Sequence, residues 1–387
     1  MRHITNLLKP LSLLALVMTL FGCRSQHDQI HVAPDWVMGG FVRPAGINPI
    51  IEPDSSTTFL DPMSGRAVRW EENDTFNPAA VVKGDSVYVL YRAEDKTGVK
   101  IGHRTSRIGL AASGDGTNFT RRNTPIFFPA EDSQKEFEWP GGTEDPRVAE
   151  LPDGRYVMFY TQWNRKVPRL GVAISEDLKN WVKYGPIFGK SKSLPSLVDK
   201  SHKSASIVTE LVGDKQVVAK VNGKYWIYWG EHGVYGATSD NLIDWEPVLD
   251  ENGELKAFIS PREGYFDSSL TECGPPAVKT DKGILLLYNG KNHPEKGDKR
   301  FNRGTYSAGQ VLFDANDPTK VLERMDVPFL RPMEAFEKSG QYVDGTVFIE
   351  GLVYFQKKWF LYYGCADSKV GVAIYDPANP TNLDPLP

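Results

Sequence analysis

Four carboxylates in this chain stand where side chains do chemistry rather than merely face water. They are Asp145 in "GGTEDPRVAEL", Glu231 in "YWGEHG", Glu272 in "SLTECGPPAV" and Asp367 in "YYGCADSKVG". Each lies beside Gly, Pro or aromatic residues at the start or end of a run that reads as an inner strand. Singly, each has a structural reading: Asp145 as ion-pair partner of Arg147, Glu231 bonded to His232, Glu272 as a loop cap, Asp367 as an Asx turn. As a set they suit carbohydrate chemistry. Paired carboxyls supply acid and base for glycosidic cleavage, and aromatic faces stack on sugar rings. Other chemistries lack their residues: there is no G-x-S-x-G, no H-E-x-x-H and no C-x-x-C, and the 7 histidines are scattered. The sequence calls for no metal and no cofactor.

The elements that must position these acids repeat. "SGDGTNF" (113–119), "SEDLKNW" (175–181) and "SDNLIDW" (239–245) share Ser, then Asp or Asn two residues on, then an aromatic at six. Before each comes a small apolar strand, "RIGLAA", "RLGVAI" or "GVYGAT", and before that a Tyr-rich one, "VYVLYR", "RYVMFYT" or "KYWIYWG". Two further copies keep the strands without the turn, one around "GPPAVKTDKGILLLYNGK" (274–291) and one around "DGTVFIEGLVYFQKKWFLYYGC" (344–365). Together the units span residues 77 to 377. A single small sheet cannot bury both faces, so neighbouring units must stack radially. The expectation is an all-β, five-bladed β-propeller, with each Asp bonding turn amides and each aromatic packing between sheets. Two β-sandwiches fit the regular spacing less well. In a propeller the four acids, from the second to the fifth repeat, would aim at one centre, with Glu231 ending an inner strand.

The chain has 387 residues, 40% hydrophobic and 24% charged, and its 27 prolines and 35 glycines argue for many turns rather than long helices. Residues 1–22, "MRHITNLLKPLSLLALVMTLFG", combine two basic residues with a short apolar run and read as a secretory signal peptide. "LFGC" resembles the bacterial lipoprotein box, which makes Cys23 the expected lipid-bearing residue and a membrane surface an expected partner. The organisation expected is a leader (1–22), an N-terminal segment (23–70) and a propeller (71–387). The mature balance of 43 basic to 49 acidic residues argues against a nucleic-acid partner. Cys273 and Cys365 read as small buried residues rather than a disulfide framework.

"FNPAA" (76–80), "YRAED" (91–95), "SRIGLAASGDG" (106–116), "EDPR" (144–147), "GPPAVKTDKGILLLYNG" (274–290) and "YYGCADSKVGVA" (362–373), in that order, resemble glycoside hydrolase family 130. The resemblance implies a five-bladed propeller acting with inversion on β-linked mannosides, in a family holding both phosphorylases and hydrolases. It implies Asp145 as the acid, directly or relayed through the mannose 3-hydroxyl. Asn77, Arg92, Arg107 and Asp367 are implied to hold the sugar, with Lys203 near the site and Arg147 and Tyr288 in the same binding set. Phosphorylase members carry Gly or Ala before "GPP" and Tyr-His-Gly at the "YNG" position; here Glu272 and Asn289 stand instead, and Glu231 is added. Two carboxylates there would repel phosphate, since unit charges 4 Å apart interact by about 4 kcal/mol at an effective dielectric of about 20. The expectation is therefore an inverting, exo-acting hydrolase releasing mannose from β-1,2-linked mannosides, with Glu231 and Glu272 sharing the base role. A phosphorylase, a carbohydrate-binding lipoprotein without activity, and a propeller hydrolase of arabinosides or fructosides remain alternatives.

Overall fold

The strand-like runs are apolar on both faces, and that decides how they pack. In "ILLLY" Leu286 and Tyr288 point to one side and Leu285 and Leu287 to the other, as alternate residues of a strand must. The first pair packs with Tyr228 and Val311, the second with Ile349 and Leu361. A sheet buried on both faces needs a neighbour on each side, and carried round a ring this requirement closes a propeller. The computed structural model describes residues 33–384 and 386–387, and the architecture is the expected five-bladed all-β propeller. Among the described residues the apolar core falls into five clusters, one between each pair of neighbouring blades.

From the axis outward, blade one is Asp74–Lys83, Ser86–Glu94, Ser106–Ser113 and Thr120–Arg121. Blade two is Gly142–Glu150, Tyr156–Trp163, Pro168–Ser175 and Trp181–Pro186. Blade three is Ala205–Val212, Lys224–Trp229, Tyr235–Ser239 and Glu246–Pro247. Blade four has an interrupted inner strand, Leu270–Cys273 and Ala277–Lys279, followed by Ile284–Lys291, Tyr306–Phe313 and Val321–Arg324. Blade five is Val347–Phe355, Lys358–Cys365 and Lys369–Tyr375. Its outer edge is completed from the N-terminal side, where Val42 bridges to Ile374 and Ile51 to Val370.

One expectation needs correction. "KYWIYW" is the second strand of blade three, paired on its inner side with Ala205–Val212. The inner strand is the slimmer "ASIVTELV", because five strands converging on one axis leave little room for Trp and Tyr. Glu231 and Asp367 therefore sit in loops joining second and third strands, while Asp145 and Glu272 belong to inner strands. All four lie at the same end, where inner strands begin and second strands finish. The repeated turns lie at the opposite end. There Asp115 accepts the amides of Thr117 and Asn118 at 2.7 and 2.8 Å, Asp177 those of Lys179 and Asn180 at 2.8 and 2.7 Å, and Asn241 those of Ile243 and Asp244 at 2.9 Å. Trp245 is buried edge-on to Phe159. Cys273 and Cys365 are buried free thiols.

Candidate active site

At the front mouth the inner strands lose their regular ladder. Pairing slips between Phe76 and Pro78, between Glu144 and Arg147, and between Ile349 and Gly351. Such bulges turn one residue out of the ladder and re-aim its side chain. The residues so displaced include Asn77 (φ 48°), Asp145 (φ 49°) and Glu350; Ser204, just ahead of the third inner strand, has φ 61°. Blade four breaks its strand instead, at Gly274-Pro275-Pro276. Left-handed backbone at a non-glycine residue costs on the order of 1–3 kcal/mol, so the neighbours must hold it there. One of them is Gly364 of "YYGCAD": a Cβ at that position would collide with Asn77 Oδ1.

Asp145 is the hub of one half of the site. Its Oδ1 accepts Nδ2 of Asn77 at 2.9 Å and Nη1 of Arg92 at 3.0 Å. Nη2 of Arg92 donates to Glu94 at 2.7 Å and to Glu144 at 2.8 Å, while Nε reaches Ser106 Oγ at 3.1 Å. Burial works against ionising Asp145, but Arg92, Lys203 and Arg147 outweigh it and hold its carboxyl down at about 2. The neighbours move the other way. Burial pushes Glu144 up to about 7, with Arg92 opposing and Asp145 and Glu94 reinforcing. Burial also pushes Asp367 up to about 7, against Arg92 and with Asp145.

The other half is built round Lys203. Its ammonium lies 3.3 Å from Glu231 and 3.7 Å from Glu272. Glu272 also accepts the hydroxyl of Ser204, and burial pushes it up to about 7, with Lys203 opposing and Glu231 reinforcing. Glu231 is 30% exposed and Glu272 is 2% exposed, so Glu231 meets solvent while Glu272 lies beneath it. Burial would discharge Lys203, but Glu272 and Glu231 keep it protonated well beyond its ordinary range. Tyr306 supplies an aromatic wall near Glu272, with Tyr342 at 5.3 Å between ring centres and the ammonium of Lys291 over both rings.

Asn77, Arg92, Asp145, Lys203, Glu231, Glu272 and Asp367 thus come together as the sequence implied. Three other expected residues do not. Arg107 lies on the opposite face of its strand from Ser106 and is enclosed by Asp61 and Asp95, each at 2.8 Å. Tyr288 alternates with Asn289 and points into the core, donating to Asp267 at 2.7 Å. Arg147 is buried beneath the site, donating to main-chain carbonyls of Asp145 and Cys273 at 3.0 and 2.8 Å. Each of these polar heads is committed to partners inside the protein and away from the mouth. The site also holds Glu94, Glu144, Ser106, Ser204 and Glu350, which sequence reasoning passed over. Glu144 was visible inside "EDPR", and Glu350 was visible as a lone acid in the apolar "VFIEGLVYF".

A family model described as Glyco_hydro_130, beta-1,4-mannooligosaccharide phosphorylase, matches residues 53–379. The 1,2-beta-oligomannan phosphorylase of Thermoanaerobacter sp. is 30% identical over 312 residues, 79% of this chain and 91% of its own. Among solved structures, a glycosyl hydrolase from Bacteroides ovatus is 61% identical with a TM-score of 0.91, covering 93% of this chain and 100% of the other. A second is described in terms of GH130 glycoside hydrolases that target beta-1,2 mannosidic linkages in Candida mannan. It is 58% identical with a TM-score of 0.90, covering 92% of this chain and 99% of that one.

Proposed function

This chain belongs to glycoside hydrolase family 130, a family of mannoside-acting enzymes, and from that premise we propose that it is an inverting, exo-acting hydrolase releasing mannose from β-1,2-linked mannosides. The observation that carries the reading is Lys203 held between Glu231 and Glu272. A phosphorylase needs surplus positive charge for its phosphate. Here two carboxylates already answer the one ammonium, and water is the nucleophile such a pair can take.

In this mechanism Asn77, Arg92 and Asp367 orient the terminal mannose against Asp145, and Glu231 with Glu272 deprotonates the attacking water. Arg92, Lys203 and Arg147 favour the ionised form of Asp145. Being already buried, it gains its proton from a neighbouring carboxyl rather than from further loss of solvent. Glu144 and Asp367, both near 7, are the neighbours able to supply it. Inversion then leaves mannose with the opposite anomeric configuration and the leaving sugar protonated. The lipid anchor at Cys23 belongs to the same proposal and lies outside the described residues. Among the described residues no helix is long and apolar enough to cross a membrane.

A phosphorylase is the second reading, favoured by the description of the family model and by the relative at 30% identity. Product analysis on β-1,2-mannobiose, with and without inorganic phosphate, separates the two. Free mannose at one rate in both conditions is the expected result; mannose 1-phosphate appearing only with phosphate overturns the proposal.

A further inference from the structure

Glu350 takes no part in the chemistry above, yet through Arg147 it lies next to the residues that do. It sits at the bulge of the inner strand of blade five, fully buried, and neither carboxyl oxygen accepts a hydrogen bond. Its charged contact is Arg147, whose Nη1 is 3.0 Å from Oε1. Arg147 donates besides to three main-chain carbonyls: Asp145 at 3.0 Å, Cys273 at 2.8 Å and Gly274 at 3.3 Å. The first carbonyl belongs to the acid, and the other two belong to the residues that follow Glu272. Asn289 ties the same region from blade four. It donates to the carbonyl of Ile349 at 3.1 Å, accepts its amide at 2.8 Å, and pairs across the ladder with Glu272.

We propose that Glu350 is a positioning residue, which with Arg147 forms a buried bracket that fixes Asp145 against Glu272 and balances the charge beneath them. The proposal rests on the reading of Asp145 and Glu272 as acid and base. Without Glu350, the Arg147 guanidinium would place an uncompensated positive charge under both carboxyls. Without Arg147, Glu350 would add a third like charge to the pair. Burial, Asp145 and Glu272 all raise the Glu350 carboxyl and oppose its charge, so the charge it contributes depends on Arg147 at 3.0 Å, with Lys203 adding to the same side. Such a pair is a poor way to hold a core together, because replacing a buried ion pair by neutral groups is often harmless to stability. Its placement beneath Asp145 and Glu272 fits a role in the reaction.

The test is Glu350→Gln, which keeps the shape and removes the acid. Expected is a fall in kcat of at least about tenfold with KM within about threefold, a pH–rate profile moved toward acid, and a lower Tm that the double variant with Arg147→Gln recovers, because removing one partner leaves the other charge buried and unpaired. The acid shift follows because an unbalanced Arg147 favours the ionised forms of Asp145 and Glu272. Arg147→Gln should also lower kcat, and the double variant should lose less than the product of the two single losses, since both charges leave together. Wild-type kcat and pH profile in Glu350→Gln would overturn the proposal. So would a loss of kcat that is simply additive with that of Arg147→Gln. If Glu350→Gln fails to fold, Glu350→Asp, which keeps the charge and shortens its reach, should lose kcat without the pH shift; wild-type kcat there sinks the idea. These rates are read with or without phosphate, whichever supports turnover. A phosphate requirement therefore ends the hydrolase reading without deciding this one.

Discussion

The two ends of this propeller are made from the same repeats under different rules. At the back, three blades close with one solution. Ser113, Ser175 and Ser239 each accept the amide three residues on at 2.9 Å, and each turn's Asp or Asn accepts two further amides. At the front every blade offers something different, Asn77, Asp145, Ser204, Glu272 and Glu350, and three of these hold left-handed backbone. The repeated turns satisfy their own amides, whereas Asn77 Oδ1 and both oxygens of Glu350 lack hydrogen-bond donors at the front. Left-handed backbone occurs at both ends, since Leu178 (φ 69°) and Leu242 (φ 71°) hold it in the back turns; what differs is that at the front it aims polar side chains at the mouth, whereas in the turns it closes a local ring of amide bonds.

The sharpest way to break this contrast is to make the same change at both ends. Asp145→Asn should lower kcat on β-1,2-mannobiose by about 10³-fold or more, because the acid is gone, while circular dichroism keeps the parent's β signature at the assay temperature. Asp177→Asn should leave the rate within about twofold, as a surface change remote from the substrate does. Equal losses at both ends would mean that the front is not the working end.

A smaller effect separates the ends by pH. Glu272→Gln should cost about 10²-fold in rate and raise Tm, most of all in alkaline buffer. In the parent, burial lifts the Glu272 carboxyl from 4.5 to about 7. That group supports the fold below 4.5, and its support is lost as pH rises through 7. The gap between variant and parent should therefore open between those values, by on the order of 3 kcal/mol at most. Thermal melts at several pH values read it, and a gap that is constant with pH contradicts the burial argument.

The back was more legible than the front, for physical reasons. A turn that bonds its own amides is a local device, so its residues recur at fixed spacing in three units, and the repeated strands of two more complete the count of five. The acids could be found because each stands beside Gly, Pro or an aromatic. What could not be read was which face of a strand a side chain takes. Arg107 and Tyr288 sit one residue from Ser106 and Asn289, which do face inward, and a single step along a strand reverses direction. Bulges add to the difficulty, because the slip that aims Asp145 and Glu350 inward leaves no mark in the hydrophobic pattern. The same blindness placed "KYWIYW" one strand too near the axis.

The smallest effect belongs to a single back turn. Asp115 is held below the ordinary carboxylate range by Asn118, through side chain and amide, and by the amide of Thr117. Asp115→Ala removes those acceptors, but water reaches the exposed amides left behind, so the loss should be about 1 kcal/mol, or about 2 °C in Tm for a chain this long. Activity should not change. The pH dependence runs opposite to that of Glu272. A carboxyl with a depressed value contributes above its unfolded value of 3.8, and its contribution fades as pH falls through the folded one. The difference between Asp115→Ala and the parent should hold steady from neutral pH down to about 4 and close only in stronger acid. A difference that instead grew toward alkaline pH would show that the back turn shares the strained electrostatics of the front, and the division between the two ends would fail.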